Sequence, residues 1–345
     1  MEYKINMDAH NICIYCNNNA EQKCSRCYSV YYCSKECQSA HYKTHKLICK
    51  PPFRIKEISG KGKGMVADKY IAEGSLILSE KPILITDVIT DLKDIAHRVD
   101  SLRDLVAKLE PKNKRQLFSL YNAREDLQVL GLFGSNSIKL PTSTDMNDSS
   151  ASNKPRAAVF PTLSRINHSC VPNVVWSWND KKQQEELRAM INIEPDTEMT
   201  ASYIDLMLPS IDRQDELSYK YCFICQCSLC SLPSKELNVS DNKRREVSRL
   251  QREIGEMVKQ ENFIDAYRKS QEVLELGLDM GNEAYSILPQ MYLNCYQLCR
   301  KAQKGNDLAE NEAVEFYETG LAWATKLRGN NTVFSKLDPP KLYCN

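Results

Sequence analysis

One stretch of the sequence decides the fold: Asn167-His168-Ser169-Cys170-Val171-Pro172-Asn173. It places an amide, an imidazole and a thiol within four residues, just before a run of apolar and aromatic residues that predicts a strand. Amide and imidazole groups can bind a polar ligand, and a thiol is a metal ligand. The stretch therefore predicts a place where ligand binding and metal binding meet.

Two further motifs lie before and after this stretch. Gly60-Lys61-Gly62-Lys63-Gly64 stands between two predicted strands, and Ser202-Tyr203-Ile204-Asp205 ends another. Glycine lets a backbone approach a ligand closely, although a glycine run by itself is usually an ordinary β-turn. The ordered set of three motifs is much more specific than any one of them.

The cysteines point to metal. The chain has 15 of them, and eleven fall in two clusters, seven between Cys13 and Cys49 and four between Cys222 and Cys230. Residues 1–10 are polar and lack the apolar core of a secretion signal. Because cysteine-rich proteins that are not secreted bind metal more often than they form disulfides, the clusters predict zinc.

The first cluster contains closely spaced pairs that suit two closed zinc sites of four ligands each. The pairs are Cys13 and Cys16, Cys24 and Cys27, Cys33 and Cys37, and His45 and Cys49. A segment of about 37 residues buries too little apolar surface to fold alone, so metal must supply folding free energy. Spacing alone allows the pairs to combine sequentially or alternately, and His41 is a rival ligand to His45.

Composition excludes several classes of protein. A length of 345 residues suggests two or three domains, and 42% hydrophobic residues exclude wholesale disorder. No apolar run is long enough for a membrane span. Basic and acidic residues nearly cancel, at 46 against 45, so we do not expect direct nucleic-acid binding.

The remaining pattern predicts an α+β chain of several domains. Charged, leucine-rich residues 91–128 predict two helices broken near Pro111, and residues 141–155 predict a mobile surface loop. Strand-like segments lie between 53 and 88 and at 157–162, 171–178, 187–193 and 197–204.

Beyond about residue 240 the pattern is helical. Helices are predicted near 241–259, 263–280, 284–303 and 309–328. Two of them look alike around Ala266 and Ala313, which are 47 residues apart. This suggests repeated helical hairpins of the tetratricopeptide kind, whose usual repeat is about 34 residues, or else an ordinary helical subdomain.

Together these residues resemble the SET- and MYND-domain family of protein lysine methyltransferases. The first cluster, with Tyr32-Cys33 and His45-Lys46, resembles the MYND zinc finger, and the three motifs resemble the SET domain. In the best-known members the finger interrupts the SET domain, whereas here it precedes the glycine motif and residues 91–128 take the place of an inserted segment. The implied domains are a MYND finger at 11–50, a SET domain at 53–206, a post-SET zinc segment at 213–231 and an all-α, tetratricopeptide-like domain at 240–335.

The resemblance implies three zinc ions with interleaved finger ligands. The first is held by Cys13, Cys16, Cys33 and Cys37, the second by Cys24, Cys27, His45 and Cys49, and the third by Cys170, Cys225, Cys227 and Cys230. The third ion would clamp the closing segment over the cofactor pocket without acting in catalysis. Cys222 then has no ligand role, and Cys295 and Cys299 are expected in the core.

The cofactor that the resemblance implies is S-adenosylmethionine. Its implied contacts are Lys61, Gly62, Lys63, Asn136, Ser164, Asn167, His168, Tyr203 and Phe223. The lysines would meet its carboxylate, the Asn167 amide and His168 imidazole its adenine and amino-acid ends, and Phe223 its adenine. The expected catalytic residues are Tyr203, whose hydroxyl can orient the lysine amine and the methyl group, and Tyr221, which forms a wall of the lysine channel.

The expected activity is methyl transfer from S-adenosylmethionine to a lysine of a histone or another protein, in the cytoplasm, the nucleus or both. The alternative is a catalytically degenerate adaptor that recruits proteins through the finger and the helical tail. Zinc-dependent DNA binding is disfavoured, because the cysteine spacing does not match groove-reading fingers. We expect a monomer, a protein substrate, and proline-rich peptides as ligands of the finger.

Overall fold

The structure, a computed structural model, describes residues 12–28, 30–88, 95–141, 155–302 and 307–329. Most of the predicted loop at 141–155, and the part of the predicted helical domain after residue 329, lie outside these ranges. Within them, no helix is both long enough and apolar enough to cross a membrane.

The N-terminal region has almost no apolar core. Strands β1 (Gln22–Lys23) and β2 (Tyr31–Tyr32) pair antiparallel, and helix α1 (Lys35–Ile48) follows. The Ser34 hydroxyl caps this helix by accepting a hydrogen bond from the Cys37 backbone N–H. Besides cysteines, the buried hydrophobic cluster contains only Ala20 and Tyr32 among the described residues. So small a core requires the metal sites for stability.

Small sheets build the β domain, which we define as residues 53–206. The strands are β3 (Phe53–Ile58), β4 (Gly62–Ala67), β5 (Leu76–Glu80), β6 (Leu84–Asp87), β7 (Ser137–Leu140), β8 (Arg156–Val159), β9 (Asn167–His168), β10 (Val174–Asn179), β11 (Gln184–Ala189) and β12 (Glu198–Ala201). They form sheets in the orders β3-β4-β12-β9, β10-β11-β5 and β6-β8-β7. The β9–β12 pair is parallel, and this pairing brings residues of two distant motifs side by side.

One apolar core joins these sheets. Its fully buried members include Met65 on β4, Ile77 on β5, Leu187 on β11 and Leu163 in the turn before β9. Removal of this apolar surface from water is the main term that stabilises the domain. The core therefore holds the short strand β9 in a fixed position against β12.

Strand β11 differs from its prediction. It begins at Gln184, three residues before the predicted segment 187–193, and it buries Glu185 and Glu186 at 2% and 3% exposure. Carboxylates are rarely buried without a partner, so the pattern alone placed these residues outside the strand. Glu186 is paired with Lys182 and Arg188, which explains its burial.

The segment predicted to form two helices separated near Pro111 contains α2 (Ile95–Ala107) and α3 (Pro111–Phe118), with Pro111 at the first position of α3. A further helix, α4 (Gln128–Asn136), follows. Buried leucines of this region, including Leu102 and Leu132, pack with Val159 of β8. The helices thus cover the β6-β8-β7 sheet, and α4 leads directly into β7.

The N-terminal finger contacts the β domain through Tyr28. Among the described finger residues, the backbone is left-handed at Asn17, with a φ of 59°, and at Tyr28, with a φ of 52°. The Tyr28 N–H donates to the Cys24 carbonyl at 3.0 Å. The Tyr28 hydroxyl accepts a hydrogen bond from the Ser79 N–H of β5, also at 3.0 Å. A turn that begins at a predicted metal ligand therefore presents Tyr28 to the sheet edge.

Helices form most of the rest of the described chain, apart from an irregular segment at 222–233. They are α5 (Ser210–Tyr221), α6 (Ser234–Lys259), α7 (Phe263–Asp279), α8 (Leu288–Ala302) and α9 (Asp307–Arg328). From α6 onward each helix packs on the next. Helix α9 also contacts β10 and β11, and Lys326 forms an ion pair with Glu73 of the β domain. Both ends of the helical region are therefore fixed to the β domain.

Buried arginines secure the first of these junctions. Arg213 on α5 and Arg244 on α6 are fully buried, and they donate to the backbone carbonyls of Leu208 and Leu206 at 2.7 and 2.8 Å. Arg244 also pairs with Glu283. Because a buried charge is costly without partners, these bonds fix the path of the chain just after Tyr203.

Candidate active site

The glycine motif forms the tight hairpin between β3 and β4. Gly60 and Gly62 have φ angles of 74° and 67°, which glycine adopts without strain. At Gly64 the requirement is different, because a Cβ there would lie 2.6 Å from Ile58 Cγ1 and 2.9 Å from Asn167 Nδ2. The hairpin backbone is therefore in direct contact with the Asn167 amide.

Asn167 and Lys61 share one partner, which sequence reasoning missed. Asn167 Nδ2 donates to Glu198 Oε1, and Lys61 Nζ lies beside Glu198 Oε2, both at 2.8 Å. The sequence signal that could have identified Glu198 is its charge within the largely buried strand β12. Lys63, on β4, is exposed, as Lys61 is.

Asn173 fixes the turn that follows β9. Its Nδ2 donates to the Glu198 carbonyl and its Oδ1 accepts from the Thr200 N–H, both at 2.8 Å. The amide thus substitutes for a strand along β12. The last residue of the motif is therefore structural, and it holds Asn167 and Glu198 in register.

His168 joins the tyrosine motif to a predicted metal ligand. The side chain is buried, with Nδ1 accepting from the Tyr203 backbone N–H at 3.1 Å and Nε2 lying 3.4 Å from Cys170 Sγ. Since Nδ1 accepts, a neutral ring carries its proton on Nε2 and donates it to the sulfur. Both ring nitrogens are therefore engaged within the protein, whereas the sequence suggested that the imidazole faces a cofactor.

Aromatic rings surround Tyr203. Its ring centroid lies 4.9 Å from that of Tyr221, 5.3 Å from His168 and 6.4 Å from Trp176, and Phe223 lies 6.1 Å from His168. Sequence reasoning missed Trp176, which carried no signal beyond its place in a predicted strand. The cluster combines aromatic faces with hydroxyls, which suits a cationic ligand.

The Tyr203 hydroxyl donates a hydrogen bond to the Ile166 carbonyl. Burial raises its pKa well above the usual tyrosine value, and the nearby Tyr221 and Glu198 raise it further. Burial likewise raises the pKa of Tyr221. Tyr203 therefore stays protonated at neutral pH, and because its proton is committed to Ile166, its oxygen lone pairs remain available to a substrate.

Asn136 and Ser164, which the resemblance implies as cofactor contacts, lie next to each other and bond mainly to each other and to the backbone. Ser164 Oγ donates to the Asn136 carbonyl at 2.8 Å. Asn136 Nδ2 donates to the carbonyls of Tyr121 and Leu132 at 2.6 and 2.7 Å. The Asn136 amide orientation is thus fixed, with Oδ1 as its remaining acceptor.

The third predicted metal set comes together behind His168. The ligand atoms of Cys170, Cys225, Cys227 and Cys230 all lie within 4.8 Å of one another, and the Cys170 and Cys230 sulfurs are 3.6 Å apart. A tetrahedral site with Zn–S distances of about 2.3 Å has sulfurs about 3.8 Å apart. The cluster therefore has the dimensions of a zinc site.

Two side chains of α5 support this cluster. The Gln214 amide makes two hydrogen bonds to the backbone of Cys225, both 2.8 Å. The fully buried Arg213 guanidinium lies beside Cys170 and Cys230. Four thiolates around one zinc ion carry a net negative charge, which this cation offsets. Nothing in the sequence distinguishes Arg213, because it is one of several charged residues in α5.

The finger ligands group alternately, as the resemblance implied. Cys13, Cys16, Cys33 and Cys37 form one set, and Cys24, Cys27, His45 and Cys49 form the other. Typical contacts are 3.4 Å between the Cys16 and Cys33 sulfurs and 3.3 Å between His45 Nε2 and Cys24 Sγ. The rival ligand His41 instead contacts the Tyr32 hydroxyl through Nδ1 at 3.0 Å.

Comparison with known proteins agrees with this arrangement. The family model described as a MYND finger matches residues 13–49, and the one described as a SET domain matches residues 62–204. The chain therefore has a finger that precedes a SET domain, and its three cysteine-rich clusters are of the zinc-binding kind.

Curated relatives are lysine methyltransferases by name. The N-lysine methyltransferase SMYD2 of Homo sapiens is 28% identical over 272 residues, and that of Bos taurus is 27% identical over 282 residues; each match covers 77% of this chain and 59% of the relative. The histone-lysine N-methyltransferase set5 of Schizosaccharomyces pombe is 29% identical over 209 residues, which cover 59% of each protein. The matches thus span about 59% of the length of these relatives. The chain therefore carries a MYND finger followed by a SET domain, and it is similar to lysine methyltransferases of the SET- and MYND-domain family.

Proposed function

We propose that this protein is an S-adenosylmethionine-dependent protein lysine methyltransferase. The observation that carries the proposal is the convergence of the three motifs, which lie far apart in the sequence. The β9–β12 pairing places Asn167 beside the glycine hairpin, and His168 binds the backbone of Tyr203. A binding pocket and an aromatic channel can therefore share one wall.

The residues fit the cofactor's chemistry. Its amino-acid end carries a negative carboxylate and a positive ammonium group. The hairpin offers Lys61 and Lys63 for the carboxylate, and exposed backbone at Gly62 for close approach. Asn167, Asn136 and Ser164 supply hydrogen-bonding groups, His168 maintains the wall of the pocket, and Phe223 provides an aromatic surface for the adenine. We assign cofactor binding to these residues together with Tyr203.

The aromatic cluster suits methyl transfer to an amine. When bound, S-adenosylmethionine supplies an electrophilic methyl group on a positively charged sulfur. The Tyr203 oxygen, whose proton is donated to Ile166, accepts hydrogen bonds and so orients a lysine amine in line with that group. Tyr221, whose ring lies 4.9 Å away, lines the channel and stabilises positive charge. A lysine amine that has given up its ammonium proton to water would be held here by Tyr203 and Tyr221, and the bound cofactor would supply the methyl group and leave as a neutral thioether.

The third metal cluster has a positioning role in this account. Cys170 lies two residues from His168 and contacts its ring, and Cys225 lies two residues from Phe223. A zinc ion held by the four cysteines would fix both sides of the pocket without touching the substrate. We assign three zinc ions to the protein, two in the finger and this one.

The partner is a protein that carries the target lysine, either a histone or another protein. We further propose that the finger binds proline-rich peptides. Helix α1 exposes Tyr42, Leu47 and Ile48 at 58%, 75% and 74%, which is apolar surface available to such a peptide. We propose that the protein acts as a monomer, in the cytoplasm, the nucleus or both.

The activity is tested with radiolabelled S-adenosylmethionine and a panel of histones and peptides that contain lysine. Wild-type protein is expected to label lysine, and Tyr203→Phe to lose nearly all labelling while it keeps its zinc and stays folded, with a melting temperature lowered only by loss of the hydrogen bond to Ile166. Tyr219→Phe is the matched control, because Tyr219 lies on α5 with 81% of its surface exposed. Full activity in Tyr203→Phe would show that the catalytic assignment is wrong.

A further inference from the structure

Glu198 occupies a position between two motifs that are separate in the sequence. It begins β12, where its backbone pairs with Val66 of β4. Two residues later, Thr200 pairs with Asn167 of β9. Because side chains two residues apart lie on the same face of a strand, Glu198 reaches the surface on which the glycine hairpin and Asn167 meet.

Its carboxylate makes two charge-assisted contacts there. Oε1 accepts from Asn167 Nδ2 and Oε2 from Lys61 Nζ, each at 2.8 Å. The Glu198 side chain is 19% exposed and that of Lys61 is 46% exposed. Gly64 closes the site from below, since a Cβ there would lie 3.1 Å from Glu198 Oε1. The three groups are therefore closely packed.

The chemistry of a carboxylate fixes the orientation of the amide. An ionised carboxylate only accepts hydrogen bonds, so Asn167 must turn its NH₂ group toward Glu198. The amide oxygen then faces away from Glu198 and can accept from a donor on the cofactor. A neutral amide in place of Glu198 would both donate and accept, and Asn167 would lose this enforced orientation.

The same carboxylate binds Lys61 and leaves some of its N–H donors free. A lysine ammonium has three N–H donors, and the contact with Glu198 Oε2 uses one of them. The other two remain for an anionic group of a ligand. Without its partner, this long and partly exposed side chain would lose conformational order before binding.

We propose that Glu198 is a positioning residue that prepares Asn167 and Lys61 to bind the amino-acid end and the adenosine of S-adenosylmethionine. The inference rests on the proposed function, because it assumes that the pocket binds this cofactor. Glu198 acts through its two partners. Its loss should therefore change cofactor affinity and leave the fold in place, because its backbone stays bonded to Asn173 and β4.

The test is calorimetric binding of S-adenosylmethionine to full-length, zinc-loaded protein. Glu198→Gln preserves the shape of the side chain, and it is expected to weaken binding about tenfold, as loss of a charge-assisted hydrogen bond would. Glu194→Gln is the control, because Glu194 is exposed four residues away. It should bind like the wild type. Zinc content and melting temperature show that each variant is folded.

A double-mutant cycle separates positioning from a general structural effect. If Glu198 acts partly through Lys61, then Glu198→Gln should cost less in a Lys61→Met background than in the wild type. Equal losses in both backgrounds, or wild-type affinity in folded Glu198→Gln, would overturn the inference. Failure of the wild type itself to bind would instead overturn the proposed function.

Discussion

The buried carboxyl of Glu185 should make the β domain less stable as the pH rises. The residue is 2% exposed, and its Oε2 has no hydrogen-bond partner among the described residues. Burial, with a smaller contribution from the neighbouring Glu186, raises the pKa of Glu185 to about 8. The side chain is therefore protonated in the folded protein at neutral pH.

The magnitude follows from the difference between the folded and unfolded states. An unfolded glutamate has a pKa of about 4.3, so between that pH and about 8 the folded state binds more protons at Glu185 than the unfolded state does. The free energy of unfolding then falls by about 1.4 kcal/mol for each pH unit in this window. From pH 5 to pH 8 the loss from this one group is on the order of 4 kcal/mol.

Glu185→Gln removes this titration. We expect the variant to gain stability over the wild type steadily from pH 5 to pH 8. Any fixed effect of the buried amide shifts both ends of the range equally, so the slope is the diagnostic quantity. Urea unfolding followed by tryptophan fluorescence measures it, because Trp178 lies directly opposite Glu185 across β10 and β11.

Glu186→Gln is the matched control on the adjacent residue. The ion pairs and hydrogen bond from Lys182, Arg188 and Asn179 outweigh burial and lower the pKa of Glu186. Its contribution is therefore present at neutral pH and lost in acid, so this variant should be destabilised at pH 7. A Glu185→Gln variant whose advantage does not grow with pH would refute the reasoning.

The remaining predictions concern the hairpin, the chemistry and the finger. Gly64→Ala should destabilise the β domain by about 1–3 kcal/mol in urea unfolding and weaken cofactor binding through overpacking. Gly255→Ala is the control, because a Cβ there meets nothing within 4 Å, and it should be neutral or stabilising. Equal effects of the two substitutions would contradict the close packing at the hairpin. Because burial raises the pKa of Tyr203, ionisation of its hydroxyl should not appear in the pH profile of methyl transfer up to about pH 9. If the profile does show a titration step in this range, the step should persist in a Tyr203 variant that keeps residual activity, because another group causes it. Tyr28→Phe should lower the unfolding free energy by about 1 kcal/mol in thermal or urea unfolding, because the Ser79 N–H loses its acceptor, and it should leave zinc content unchanged; an unaltered stability would mean that this contact does not hold the finger.

The chemistry-bearing residues could be found in the sequence because each carries a local signature. Cysteine pairs reveal metal ligands by spacing, and Asn167-His168 stands in a specific run. The alternate grouping of the finger ligands came from the family resemblance, since spacing also allowed sequential pairing. The engagement of both His168 nitrogens within the protein was not predictable, because it depends on where β12 and Cys170 lie in space.

Tertiary contacts account for the elements that the pattern missed. Helix α4 contains Gly131 and Gly134, which weaken a helical prediction, yet its leucines pack into the cluster beneath β8. Gly131 is required there, because a Cβ would lie 2.1 Å from the Arg124 carbonyl oxygen. The early start of β11 depends in the same way on partners of Glu186 that a periodicity of two residues does not reveal.

The central claim is that the converging motifs form a working cofactor pocket, and direct binding tests it without knowledge of the substrate. Calorimetry of S-adenosylmethionine with zinc-loaded protein should give saturable binding of one molecule per chain, and Asn167→Ala should weaken it. The same preparation should contain about three zinc ions per chain, as the three clusters require. Absence of binding by protein with that zinc content would contradict the account.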